Sequence, residues 1–139
     1  MRFVDASLFL YAYLKPRKVM SDEVAEMKRA ARGIVKRINS GEKVATSLTH
    51  VSEVANILEA SMPIQDSHLI MRDLIHSPTI SIFETTKENY VDAIEVAEEA
   101  TVGLNDGLAY VLMKQNDLEE IYSYDKHFDR FSDVRRVHE

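Results

Sequence analysis

Four acidic residues stand beside strongly apolar segments, where an isolated charge is costly. Asp5 ends "FVD" near the start of the chain, and Asp125 follows "EEIYSY" near its end. Asp106 opens the apolar stretch "DGLAYVLM", and Glu53 lies within "TSLTHVSEVANIL". Taken alone, the three aspartates can be a helix cap, a helix-dipole partner and a turn residue, and the glutamate can be a solvated side chain.

If these carboxylates converge, they need protons or a cation to coexist. Two unit charges about 4 Å apart repel by about 4 kcal/mol at an effective dielectric near 20. The chain has no cysteine, and oxygen ligands favour Mg²⁺ or Mn²⁺ over Zn²⁺. Such an ion can lower the pKa of a bound water, which can then attack a phosphodiester phosphorus, while the ion neutralises charge on the phosphoryl oxygens.

The histidines are predicted to lie outside any metal site, because no two of them have HxH or HxxxH spacing. The five are His50, His68, His76, His127 and His138.

Short apolar strands alternate with helices along the whole chain, which predicts an α/β fold with a parallel sheet covered on both faces. The predicted strands are 3–5, 43–46, 79–83, 120–123 and 134–137. The predicted helices are 7–15, 21–39, 47–60, 65–76, 87–100 and 105–115, with a helical turn at 125–131.

This fold gives the acids a common location. Ligands of open α/β sheets bind at the carboxyl ends of the strands. If the first and fourth strands are neighbours, Asp5 and Asp125 meet at that edge of the sheet. The start of the helix that carries Asp106 can then reach them.

The bulk composition describes an ordinary globular chain. With 139 residues, of which 45% are hydrophobic, we expect one domain over residues 1–139. No apolar run approaches the roughly 20 residues that span a bilayer, and no signal-peptide pattern is present. We therefore expect a cytoplasmic protein that does not contact membranes.

The four acidic segments, in this order, resemble the PIN domain. The segments are "VDAS", "TSLTHVSE", "LNDGLAYVLM" and "SYDKHF", and together they extend over essentially the whole chain. The resemblance implies a PIN-like three-layer α/β/α domain with a short central parallel sheet of four to five strands. One departure is Gly107, where the family usually has Ala; it is expected to loosen that helix start by roughly 0.5–1 kcal/mol.

For function, the resemblance implies a metal-dependent endoribonuclease similar to the VapC-like toxins of type II toxin–antitoxin systems. Asp5, Glu53, Asp106 and Asp125 would hold one or two Mg²⁺ or Mn²⁺ ions. Ser7 would hydrogen-bond within the acidic cluster as part of the catalytic set. Ser123 would play a part similar to that of Ser7, and Asn105 and Asp129 are weaker candidates nearby. The implied partners are an RNA substrate, an antitoxin protein and a second copy of the chain, bound through the first helices.

A basic segment interrupts an otherwise acidic chain of net charge −6. Residues 15–43 hold nine Lys or Arg against four Asp or Glu, a balance of +5, and the remainder holds eight against nineteen, a balance of −11. The segment can contact an RNA backbone, bind an acidic partner or simply be solvated. Its basic residues of interest are Lys15, Arg17, Lys18, Lys28, Arg29, Arg32 and Lys36.

Two other classes of protein stay open on the residues alone. A PIN-like domain can act as a non-catalytic module that binds RNA or protein. An α/β phosphotransfer protein is less well matched. A dehalogenase-type phosphatase needs a second Asp two residues after Asp5, where Ser7 stands, and a receiver domain needs paired acids after the first strand.

Overall fold

Short strands are separated by helices, mostly two at a time, throughout residues 1–16 and 18–139, the part of the chain that the computed structural model describes. The strands are β1 (Arg2–Val4), β2 (Val44–Ser47), β3 (Ile80–Phe83), β4 (Glu120–Tyr122) and β5 (Arg135–Val137). The helices are α1 (Ala6–Tyr13), α2 (Asp22–Asn39), α3 (Leu48–Ser61), α4 (Ile64–His76), α5 (Lys87–Ala100) and α6 (Leu104–Gln115). A short 3₁₀ helix, Lys126–Arg130, lies between β4 and β5.

The strands form one parallel sheet with the order β3-β2-β1-β4-β5. Phe3 in the central strand is in register with Ala45 on one side and Ile121 on the other. The first and fourth strands are therefore neighbours, and the predicted parallel α/β sheet is confirmed.

Alternation along the strands divides the core between the two faces of the sheet. Val4, Val44 and Tyr122 pack on the side of α1, α2, α3 and α4. Phe3 and Ile121 pack on the opposite side, against α6 and the 3₁₀ helix. The molecule thus has the predicted three layers, with helices on both faces of the sheet.

Two basic residues of α2 donate hydrogen bonds to the end of α1. Lys28 is only 6% exposed, and its Nζ donates hydrogen bonds to the carbonyl oxygens of Tyr11, at 2.9 Å, and Leu14. Arg32 Nε donates to the Ala12 carbonyl at 3.4 Å. The carbonyls at the end of α1 thereby gain partners that the helix itself cannot supply.

This arrangement corrects the predicted basic surface, because Lys28 is buried and is not available to RNA. The other basic residues of interest that the structure describes are exposed, namely Lys15, Lys18, Arg29, Arg32 and Lys36. Arg17 lies outside the described residues.

Gly107 allows a close approach of α5 and α6. A Cβ atom at this position would lie 2.6 Å from the Ala93 carbonyl oxygen and 3.2 Å from Ala97 Cβ. The expectation that Gly107 merely loosens the start of α6 is therefore incomplete. The missing side chain is what lets the backbone of α5 pack against this turn.

No helix in the described part of the chain combines the length and apolarity required to cross a bilayer.

Candidate functional site

The sheet topology brings the loops after β1 and β4 together at the carboxyl edge of the sheet. Asp5 directly follows β1, and its backbone N–H donates to the Tyr122 carbonyl at 3.0 Å. Asp125 lies three residues after β4 and caps the 3₁₀ helix, its Oδ1 accepting the His127 N–H at 2.9 Å. Asp106 occupies the first turn of α6, and Glu53 the second turn of α3.

Asp5 stands at the N-cap position of α1 but does not cap that helix with its side chain. The residue is 6% exposed, and its Oδ2 accepts hydrogen bonds from Ser7 Oγ at 2.9 Å and Ser123 Oγ at 2.8 Å. Buried carboxylates need such donors because they have lost the hydrogen bonds of water. The helix-cap explanation of Asp5 is therefore wrong.

The same two serines fix the loop that carries Asp125. Ser7 Oγ accepts the Tyr124 N–H at 3.0 Å, and Ser123 Oγ accepts the Asp125 N–H at 3.0 Å. Each hydroxyl thus gives its proton to Asp5 and receives one from the backbone after β4. Through these bonds the positions of Asp5 and Asp125 depend on each other.

Asp106, Asp125 and His127 form the tightest cluster. Each offers one ligand atom, and these atoms lie within 4.8 Å of one another. His127 Nδ1 is 3.2 Å from Asp125 Oδ1 and 3.5 Å from Asp106 Oδ2. The spacing of the histidines did not indicate His127, because its neighbours in this cluster are acids rather than other histidines. One of these acids, Asp106, is 21 positions away in the sequence.

The acids perturb one another strongly. Burial, followed by the charges of Asp125 and Asp5, raises the pKa of Asp106 to about 7, although His127 opposes the change. Burial and then the charge of Asp5 also raise the pKa of Glu53, against a hydrogen bond from the Asn105 side chain. All four predicted acids therefore belong to one electrostatic cluster.

An open cavity of about 480 Å³ gives access to this cluster. Glu53, Asp106, Asp125 and His127 line it, together with Asn105. Asp5 is buried beside this cavity and accepts the hydrogen bonds of the two serines. Of the weaker candidates, Asp129 forms an ion pair with Arg136 instead of joining the cluster. Arg136 donates to both of its carboxylate oxygens at 3.0 Å.

His50 is a second histidine that the sequence patterns did not identify. It is 1% exposed, with Nδ1 2.6 Å from Ser47 Oγ and Nε2 4.0 Å from Asp5 Oδ1. Burial lowers the pKa of His50 more than Asp5 raises it, which favours the neutral ring. Since Ser47 Oγ already accepts the His50 N–H at 3.2 Å, its own proton can go to Nδ1, and the ring proton then lies on Nε2, facing Asp5.

The donor set of the cluster fits a hard divalent cation. Its carboxylate oxygens are the ligands that Mg²⁺ and Mn²⁺ prefer, and one imidazole nitrogen is compatible with Mn²⁺. The raised pKa of Asp106 points the same way, because a cation would stabilise the carboxylate that its neighbours disfavour.

Comparison with known proteins gives the family. The model of the PIN domain matches residues 2–134, so this chain belongs to the PIN-domain family. No curated protein matches the chain by sequence.

Solved structures share the fold at low sequence identity. One is VapC20 of Mycobacterium tuberculosis, described as a sarcin–ricin loop cleaving toxin: TM-score 0.72, identity 16%, covering 97% of this chain and 99% of that chain. Another is VapBC2 of Rickettsia felis bound to a promoter DNA fragment: TM-score 0.66, identity 12%, coverage 98% and 96%. A toxin–antitoxin complex from Klebsiella pneumoniae has a TM-score of 0.64 at 13% identity, with coverage of 96% and 95%.

Proposed function

We propose that this protein is a metal-dependent endoribonuclease that hydrolyses RNA phosphodiester bonds and acts as the toxin of a toxin–antitoxin pair. The observation that carries the proposal is the convergence of four carboxylates in a PIN domain, one of them with a pKa raised to about 7. The fold shared with VapC20, described as a sarcin–ricin loop cleaving toxin, supports the same activity.

Each site residue has a distinct part in this proposal. Asp106, Asp125, Glu53 and Asp5 would hold Mg²⁺ or Mn²⁺, which when bound lowers the pKa of a water and neutralises charge on the phosphate. Ser7 and Ser123 hold the Asp5 carboxylate through its Oδ2.

His127 contributes positive charge beside Asp106 and Asp125 whenever its ring is protonated. This charge offsets part of the repulsion between the two acids before a cation binds.

The assembly follows from the same proposal. Residues 1–139 act as a single PIN domain that dimerises through α1 and is inhibited by an antitoxin. Two of the structural neighbours are toxin–antitoxin complexes, which supports a protein inhibitor for this chain.

The test is cleavage of RNA by the purified protein, freed of any co-purified inhibitor, with Mn²⁺ or Mg²⁺ and with EDTA as a control. We expect cleavage that EDTA abolishes and that Asp106→Asn and Asp5→Asn each reduce by more than about 100-fold without loss of helical circular dichroism. Asp92→Asn, an exposed carboxylate on α5, is the matched control and should cleave normally. Binding of RNA without cleavage by the wild type would instead identify a non-catalytic binding module.

A further inference from the structure

A second cavity, of about 440 Å³, adjoins the acidic cavity. Its walls come from α3 and from the segment that leads into α5. Glu53 and Asn105 line both cavities, so the two cavities are neighbours at these residues. A molecule in the second cavity would lie directly beside the acidic cluster.

The lining of this second cavity suits an uncharged aromatic group. Leu48 and Ile57 supply an apolar surface, and Leu48 is 50% exposed at the rim. Ser52 and Asn56 add hydroxyl and amide groups that can both donate and accept hydrogen bonds. No cation lines it among the described residues, and Glu53 would repel a phosphate there.

One wall is held in place by hydrogen bonds. The hydroxyls of Thr49 and Tyr90 hydrogen-bond to each other, and Thr49 Oγ1 donates to Thr85 Oγ1 at 3.3 Å. The start of α5 is fixed by a capping box, in which Thr86 Oγ1 accepts the Asn89 N–H at 3.2 Å and Asn89 Oδ1 accepts the Thr86 N–H at 2.9 Å. A wall fixed in this way can discriminate between ligands of similar size.

We propose that this cavity binds one nucleobase of the RNA strand, within a nucleotide or two of the bond that is cut, and so sets the sequence preference of the enzyme. The inference rests on the proposed function and adds substrate recognition to it. Single-stranded RNA is read when unstacked bases enter such pockets, contact aromatic or apolar side chains, and hydrogen-bond along their edges. Asn56 presents the amide best suited to read a base edge.

The first experiment does not depend on cleavage. Adenosine, guanosine, cytidine and uridine, which lack phosphate, are titrated into the isotopically labelled wild-type protein and followed by NMR. We expect resonances of residues 48–57 and 85–90 to shift, with one nucleoside binding several-fold more tightly than the others. Asn56→Ala should weaken that binding at least about 5-fold. Gln65→Ala, an exposed amide on α4, should leave it unchanged.

The second experiment maps cleavage sites in a randomised RNA library. The wild type should select one base at a fixed position beside the cut. Asn56→Ala should lose about 10-fold of this preference at that position only, whereas Gln65→Ala keeps it. If the wild type cuts no RNA, the proposed function fails and the nucleoside titration alone decides this inference. Nucleosides that shift no resonance of the cavity, or an unchanged base preference in Asn56→Ala, would overturn it.

Discussion

Asp5 and Asp106 place carboxylates in the same cluster by different means. Asp5 is buried, and two serine hydroxyls donate to its Oδ2. Only His127 lowers the pKa of Asp106. Burial and two nearby acids outweigh it and raise that pKa to about 7. The free carboxylate form of Asp106 is therefore strongly disfavoured in the absence of a cation.

This difference predicts how the stability of the cation-free protein depends on pH. Between about pH 4, the ordinary pKa of an aspartate, and about pH 7, folded Asp106 holds a proton that the unfolded chain has released. The free energy of unfolding must therefore fall as the pH rises through this window. We expect a loss on the order of 1–2 kcal/mol from this group, allowing for screening by solvent.

The measurement is urea unfolding in EDTA at pH 5 and pH 8. Asp106→Asn cannot titrate at this position, so its stability should change less between the two pH values than that of the wild type. Asp92→Asn should follow the wild type. Equal pH dependence in all three proteins would contradict the raised pKa of Asp106.

The acids could be found in the sequence because each one interrupts or borders an apolar segment. His127 and His50 could not be found in this way, since their significance depends on neighbours that are distant along the chain. His50 approaches Asp5 from 45 positions away, and its local sequence indicates only a residue near the start of a helix. The order of the strands in the sheet sets which distant side chains meet, and hydrophobic periodicity does not reveal that order.

The helices and strands themselves were predicted well, because short apolar strands and amphipathic helices follow distinct periods. The ends of the helices were predicted less well. The pattern predicts that the first helix reaches residue 15, whereas α1 ends at Tyr13. Lys28 of the next helix then bonds to the carbonyls at that end, a contact that a charged residue in an amphipathic pattern does not reveal.

The contact between α5 and α6 predicts an unusual effect of an alanine substitution. In most helices, replacing Gly by Ala adds about 0.5–1 kcal/mol of stability. At Gly107 the new methyl would meet the Ala93 carbonyl oxygen at 2.6 Å, so the helices must separate. We expect Gly107→Ala to lower the free energy of unfolding by about 1–3 kcal/mol.

Gly33 in α2 provides the internal comparison, since a Cβ there meets nothing within 4 Å. Gly33→Ala should therefore be neutral or stabilising in the same urea titration. If both alanine variants gain stability, the close approach of α5 and α6 is not a constraint on position 107.

At the scale of the whole molecule, the acidic cluster joins parts that pack in different layers. Asp5 leads into α1 and Glu53 lies on α3, both on one face of the sheet, whereas Asp106 belongs to α6 on the other face. A cation held by these residues would therefore connect the two layers. Its binding free energy would add to the stability of the entire fold, because the unfolded chain does not hold the acids together.

This connection predicts that Mn²⁺ raises the melting temperature of the whole domain in one cooperative transition. At a free concentration of 100 times Kd, the gain is about 2.7 kcal/mol, which for a chain of this size is roughly 8–14 °C. At pH 8, where Asp106 is ionised, Asp106→Asn should melt higher than the wild type in EDTA, because one repelling charge is gone, yet gain much less from Mn²⁺. Asp92→Asn should respond as the wild type does. Scanning calorimetry distinguishes this from cation binding at scattered surface acids, which would raise the melting temperature of all three proteins equally.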